Sequence, residues 1–182
     1  MFKYFLILIF FIFTNNTNAN NKAQIIESLE KTKNLSFKFE QNINGKIENG
    51  SCIIEYPKKI FCEYLKNNNK VLVSNGKSLV IKTTTSFYRY PLQKTPLNLI
   101  LDKNYLIKKI NDLNAKIIDQ AFINYAIIEN NNEINIFFDN KTFDLIGWQT
   151  KDIYQNLSIT LLSSIQINQK ISNNLFKLPL QN

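Results

Sequence analysis

The sequence predicts a largely antiparallel β-sheet, strongly curled or closed on itself, that follows one amphipathic helix. Three features predict it. From Leu35 onward apolar residues recur at every second position, the spacing of a half-buried strand. An Asn75-Gly76 pair lies between two apolar runs, which is the strongest short-range hairpin signal. Around ten short strand-like runs follow one another with polar breaks between them, and so many short strands bend or close rather than lie flat.

The helix comes first. Over Lys22–Lys33, Ile25, Ile26 and Leu29 fall at helical spacing with Glu and Lys between them. The alternation Leu35, Phe37, Phe39 against Ser36, Lys38, Glu40 then opens the strands. Ser51–Tyr56 and Ile60–Tyr64 read as two strands joined at Pro57-Lys58-Lys59. Val71 and Val73 lead into the Asn75-Gly76 turn, and Leu79 and Ile81 leave it. Further strands read over Phe122–Glu129, Glu133–Asp139, Thr142–Thr150 and Ser158–Gln166.

Tyr90–Asp102 interrupts this pattern. Thr95 is placed to cap a helix whose first residue is Pro96. The short helix carries Leu97, Leu99, Ile100 and Leu101, so it is apolar nearly all round and needs cover on several sides. It is either a plug in the core or a lid over an apolar cavity. Tyr105–Leu113 reads as an ordinary amphipathic helix.

At 182 residues, 45% of them hydrophobic, the chain suits one domain with a leader. Lys3 precedes the unbroken apolar run Phe5–Phe13, and Thr17-Asn18-Ala19 supplies small residues for cleavage after Ala19. The run is far shorter than the roughly 20 residues that span a bilayer. Residues 1–19 are therefore expected to be a secretory signal peptide and 20–182 a soluble, exported domain.

Export permits a disulfide. Cys52 shares strand parity with Ile54 and Tyr56, and Cys62 with Ile60 and Tyr64, so both face the apolar side. A cross-strand disulfide and two reduced, buried cysteines both fit.

The chain has no His, which removes Ser-His-Asp and Cys-His catalysis and His metal sites. Two cysteines cannot build a four-ligand zinc site. The net charge of +8 rests on 21 Lys and a single Arg, Arg89. Arg is the residue of bidentate phosphate and base recognition, so the charge reads as a solvated surface and no nucleic-acid partner is expected. No catalytic residue, metal or cofactor is expected. Scattered carboxylates leave an exported carboxylate-based hydrolase as the different-class alternative.

The order of motifs resembles the LolA family of periplasmic outer-membrane lipoprotein carriers. The resemblance is carried by Phe37-Lys38-Phe39-Glu40-Gln41, Asn49-Gly50 with Ile53–Pro57 and Ile60–Tyr64, and Val71–Lys77. Tyr90-Pro91-Leu92, Lys94-Thr95-Pro96-Leu97 and Leu99-Ile100-Leu101 continue it, and Leu145–Trp148 with Asp152, then Leu175-Phe176, close it. It implies a mainly β, α+β architecture: a single-domain, unclosed antiparallel barrel of eleven strands with helices lidding an apolar cavity. It implies a carrier, without chemistry, that shields lipoprotein acyl chains in the periplasm. The partners implied are acylated lipoproteins, an inner-membrane ABC-type release complex and an outer-membrane receptor, with the carrier a monomer. On this reading Phe37, Phe39, Ile54, Ile60, Tyr64, Val71, Val73, Leu92, Leu97, Ile100 and Leu101 line the cavity and its lid, which would be free of polar groups. Tyr56 stands where the family carries an Arg that controls the lid. The same half-barrel also serves periplasmic regulators that sense lipids or lipoproteins, the alternative within the class.

Overall fold

The computed structural model describes residues 17–65, 68–129, 132–151 and 155–181. Eleven strands form one antiparallel sheet: β1 Asn34–Ile43, β2 Lys46–Glu55, β3 Lys59–Tyr64, β4 Val71–Asn75, β5 Ser78–Lys82, β6 Phe87–Pro91, β7 Lys116–Ile118, β8 Phe122–Glu129, β9 Asn132–Asp139, β10 Leu145–Lys151 and β11 Leu157–Ile167. Their order across the sheet is β6-β5-β4-β3-β2-β1-β11-β10-β9-β8-β7. Neighbours in space are neighbours in sequence everywhere except at the centre, where the first strand pairs with the last. The sheet is unclosed, with β6 and β7 as its edges.

The hairpin at Asn75-Gly76 forms with β4 and β5 as its arms. Gly76 adopts φ +94°, and the Asn75 side-chain Oδ1 accepts from the Lys77 and Ser78 N–H groups, both at 3.0 Å. That is how Asn-Gly makes so tight a reversal at no steric cost.

Helix α1 runs Thr17–Lys31 rather than over 22–33. It ends at Thr32, whose hydroxyl and N–H both donate to the Ser28 carbonyl, at 2.8 and 3.2 Å, and close its last turn. Ala19 falls in its first turn, whereas Met1–Asn16, with the apolar run of the expected signal peptide, lies outside the described residues, as does Asp152.

Helix α2 is a single turn, Leu97–Ile100, and α3 spans Lys103–Asp112. Thr95 does not cap α2. Its hydroxyl donates to the Leu92 carbonyl at 2.8 Å and closes the preceding 3₁₀ turn, Leu92–Lys94, leaving Pro96 in the cap position. Asp102 caps α3, its Oδ1 accepting from the Tyr105 N–H at 3.1 Å.

The helices cover part of one face of the sheet. Ile25 and Leu29 of α1, Ile100 of α2, and Leu106 and Ile110 of α3 share a buried cluster with Leu35, Ile54, Ile123, Tyr125, Ile136 and Phe138. Each such side chain contributes about 1.5–3 kcal/mol on burial. Tyr125 is fully buried, packs edge-on against Phe138 at 6.1 Å, and its hydroxyl has no hydrogen-bond partner among the described residues. A buried unsatisfied hydroxyl costs on the order of 1–3 kcal/mol. Tyr125→Phe is therefore expected to raise the unfolding free energy measured in urea by about 1 kcal/mol; an unchanged or lower value would show that the hydroxyl is satisfied by solvent.

On the opposite face, Val73 and Val80 are paired across β4 and β5 and both are buried, yet they stand apart from the main core. The C-terminal segment reaches this side of the sheet. The Lys59 ammonium sits 5.7 Å from the ring of Phe176, which is itself buried, and Lys82 donates to the Leu180 carbonyl at 2.8 Å.

Candidate functional site

The concave face of β1–β5 is lined by one residue in two. Along β2 the inward set is Ile54, Cys52, Gly50, Glu48 and Lys46, with Leu35, Phe37, Phe39, Gln41 and Ile43 opposite on β1. On β3 it is Ile60, Cys62 and Tyr64. These rows run from wholly apolar beside the helices to charged at the far end. Eight residues separate Ile54 from Lys46, about 26 Å at the usual strand rise.

A cavity of about 470 Å³ opens over this face. Its floor is Phe39, Ile60, Tyr64, Leu72, Leu79 and the Cys52–Cys62 disulfide; Thr95, Pro96 and Leu97 overhang it, and Trp148, Thr150, Ser158 and Thr160 bound it on the side of β10 and β11. The two half-cystines are directly paired across β2 and β3, with Cα atoms 4.1 Å apart. This is near the spacing of a non-hydrogen-bonded antiparallel pair, so the link joins strands already in contact.

Gly50 lies between Phe39 on β1 and Tyr64 on β3, to which it is directly paired. With no side chain between them, the two rings meet edge-on over it, 5.0 Å apart. The Lys70 ammonium sits 4.0 Å from the Tyr64 ring. Tyr64 thus has an aromatic contact on one side and a cation on another, where apolar lining gives way to charge. Burial above all, with the Glu48 charge adding to it, pushes the Tyr64 phenol well above its ordinary value.

The polar end centres on Glu48, which is 7% exposed. Lys70 donates to it at 2.6 Å and Lys46 lies 3.5 Å away. Burial alone would raise its pKa, but the hydrogen bond and charge of Lys70, with Lys46 behind it, together hold it below its ordinary value of 4.5. Folding therefore favours ionised Glu48. The stability it supplies is present above pH 4.5 and lost as pH falls through the lower folded-state value. Urea midpoints are expected to fall in that acid window, and Glu48→Gln to fall less steeply; parallel pH profiles would show that Glu48 does not carry the effect.

Of the residues expected from sequence to line the cavity and lid, Phe39, Ile60, Tyr64 and Leu97 do surround it. Phe37, Ile54, Leu92, Ile100 and Leu101 are buried in the core instead, Phe37 edge-on to Trp148 at 6.4 Å. Val71 and Val73 face the other side of the sheet, because register places Leu72 opposite Cys62 and Val73 opposite Phe61. Leu72, Leu79 and Trp148 take their place. The lining is not free of polar groups: Gln41, Glu48, Lys46, Lys70, Ser158 and Thr160 belong to it.

Tyr56 lies at the β2–β3 turn, where its hydroxyl is buried with no hydrogen-bond partner among the described residues, and burial raises its pKa. The turn is joined to the helices through Lys58. Its N–H donates to the Leu101 carbonyl at 2.8 Å and its ammonium pairs with Asp102, the α3 cap, at 3.2 Å. The Lys103 ammonium lies 5.8 Å from the Tyr56 ring and donates to the Thr32 carbonyl at 2.9 Å. Among the described residues no cluster of His, Cys, Asp and Glu could hold a metal ion, and no helix is long and apolar enough to cross a membrane.

An unclosed antiparallel sheet with helices against one face and a partly apolar cavity defines a half-barrel with room for a ligand. The chain belongs to the outer membrane lipoprotein carrier protein LolA family, whose pattern matches residues 30–179. Among solved structures it is similar to an uncharacterized conserved protein from Thermus thermophilus (8% identity, TM-score 0.53, 88% of this chain and 94% of that one). It is also similar to MucB (7% identity, TM-score 0.51, 89% of this chain and 62% of that one). A LolA-superfamily protein from Nitrosomonas europaea aligns at 6% identity and TM-score 0.46, over 88% of this chain and 97% of that one. No curated protein matches the sequence.

Proposed function

We infer that this chain is a periplasmic carrier that takes lipoprotein acyl chains into the cavity beneath Leu97 and ferries them from the inner to the outer membrane. Family membership over residues 30–179, joined to that cavity, carries the reading. Burying an acyl chain is worth about 0.8 kcal/mol per methylene, so an apolar floor is the physical requirement for such a cargo. The cargo is received from an inner-membrane ABC-type release complex and delivered to an outer-membrane receptor. Residues 1–19 act as the leader and 20–182 as the carrier, which works as a monomer without cofactor or chemistry.

The test uses energised spheroplasts of a two-membrane bacterium carrying radiolabelled lipoproteins, with the matching release complex present. Added carrier is expected to bring lipoproteins into the supernatant as a one-to-one soluble complex. Folded carrier that releases none would sink the reading and favour a lipid-sensing half-barrel.

A further inference from the structure

The cavity is polar at one end in a particular sense: it offers hydrogen-bond donors. Gln41 Nε2 donates to Ser158 Oγ and to Thr160 Oγ1, both at 3.1 Å. Each hydroxyl carries one donor hydrogen besides its acceptor lone pairs. Neither hydroxyl donates to any group among the described residues, and both side chains are at least nine-tenths buried against the cavity. Lys46 and Lys70 also line the cavity, against the single carboxylate of Glu48. Lys70 spends one donor on Glu48 and keeps two further hydrogens. A buried donor without an acceptor costs free energy until something supplies one. The complement of this end is therefore an acceptor-rich, negatively charged group, and the complement of the other end, beside the disulfide, Leu72 and Leu79, is hydrocarbon.

We propose that the cavity binds an amphiphile in a fixed direction, its acyl chain over the disulfide floor and an anionic head among Lys46, Lys70, Ser158 and Thr160. This rests on the reading of the cavity as an acyl site and adds the charge of the group joined to the chain. Tyr64 marks the junction, one side on Phe39 and the other under the Lys70 ammonium. A carboxylate and a phosphate both meet the requirement.

The experiment is a titration of the chain, produced from its full sequence, with single-chain lipids of equal acyl length. The probes are lysophosphatidylglycerol (anionic), lysophosphatidylcholine (zwitterionic), and a fatty acid against its alcohol. The expected result is about tenfold tighter binding of each anionic probe, a difference of 1.4 kcal/mol. The preference is expected to shrink in about 1 M salt, where screening acts within roughly 3 Å. Lys46→Gln, which leaves Lys70 in place to neutralise the buried Glu48, is expected to narrow the preference severalfold. The fatty-acid and lysophosphatidylglycerol arms separate carboxylate from phosphate as the preferred head. Equal affinity for charged and uncharged heads would overturn this proposal and leave the acyl cavity standing. Binding of none of the four probes by folded protein would overturn the acyl cavity as well.

Discussion

Leu97→Glu is expected to abolish uptake of acyl ligands while the protein stays folded. Leu97 overhangs the cavity and is only partly buried, so in the unliganded protein a carboxylate there can still reach water. An acyl chain entering the cavity would strip that water away. The loss of apolar contact and the cost of desolvating an unpaired carboxylate together amount to about 3 kcal/mol or more, a hundredfold or greater loss of affinity. Ile100→Glu, three residues on, is the contrast. Ile100 has no exposure and lies in the core, so an unpaired charge there should prevent folding rather than block a site. Circular dichroism with a fluorescent fatty-acid titration separates the two. Normal binding by folded Leu97→Glu protein would place the ligand elsewhere.

The second large effect is expected at Gly50, whose substitution should cost folding stability. A Cβ there would lie 2.1 Å from the Glu63 carbonyl oxygen and 2.7 Å from the Phe39 ring. The ring can turn aside, but the carbonyl belongs to the neighbouring strand, so β2 and β3 would have to part. Overpacking of this kind typically costs 1–3 kcal/mol, and about 3 kcal/mol is expected for Gly50→Ala in urea unfolding. Adding Phe39→Leu should restore only the part due to the ring. Full recovery in the double variant would show that the backbone contact is harmless.

The sheet was legible in the sequence wherever one face meets the core and the other meets water. β1 is the clear case, where Phe37 and Phe39 point in and Lys38 and Glu40 point out. Two strands escaped. β6 carries three aromatics but ends in Pro91 at the sheet edge, where partial exposure removes the alternation. β7 is three residues long at the other edge, too short to show a period.

The site was less legible, for two reasons. β4 reads Val71-Leu72-Val73, and both faces of the sheet are buried there, so parity cannot be taken from composition. Only register against β3 turns Leu72 inward. The charged end is hidden for the opposite reason. Glu48 looks like an ordinary surface residue in sequence, and the approach of Lys70, 22 residues away, with Lys46 beside it, makes its burial tolerable. Motif order fared better than spacing at the overhang: Thr95-Pro96-Leu97 stands over the cavity although Thr95 caps no helix.

The pairing of β1 with β11 at the centre of the sheet bears on the order in which the chain can assemble. Every other pairing joins strands adjacent in sequence, whereas this one closes a loop from Leu35 to Ile167. β1–β6 can zip up hairpin by hairpin from the N-terminal side, but one edge of β1 has no partner until the last strand has arrived. Closing so long a loop is the slow entropic step, and an unpaired edge is open to wrong partners meanwhile. The final strand therefore decides when the two halves of the sheet become one. A truncation before Leu157 is expected to leave two unjoined, aggregation-prone part-sheets, β1–β6 and β7–β10, rather than a smaller working protein.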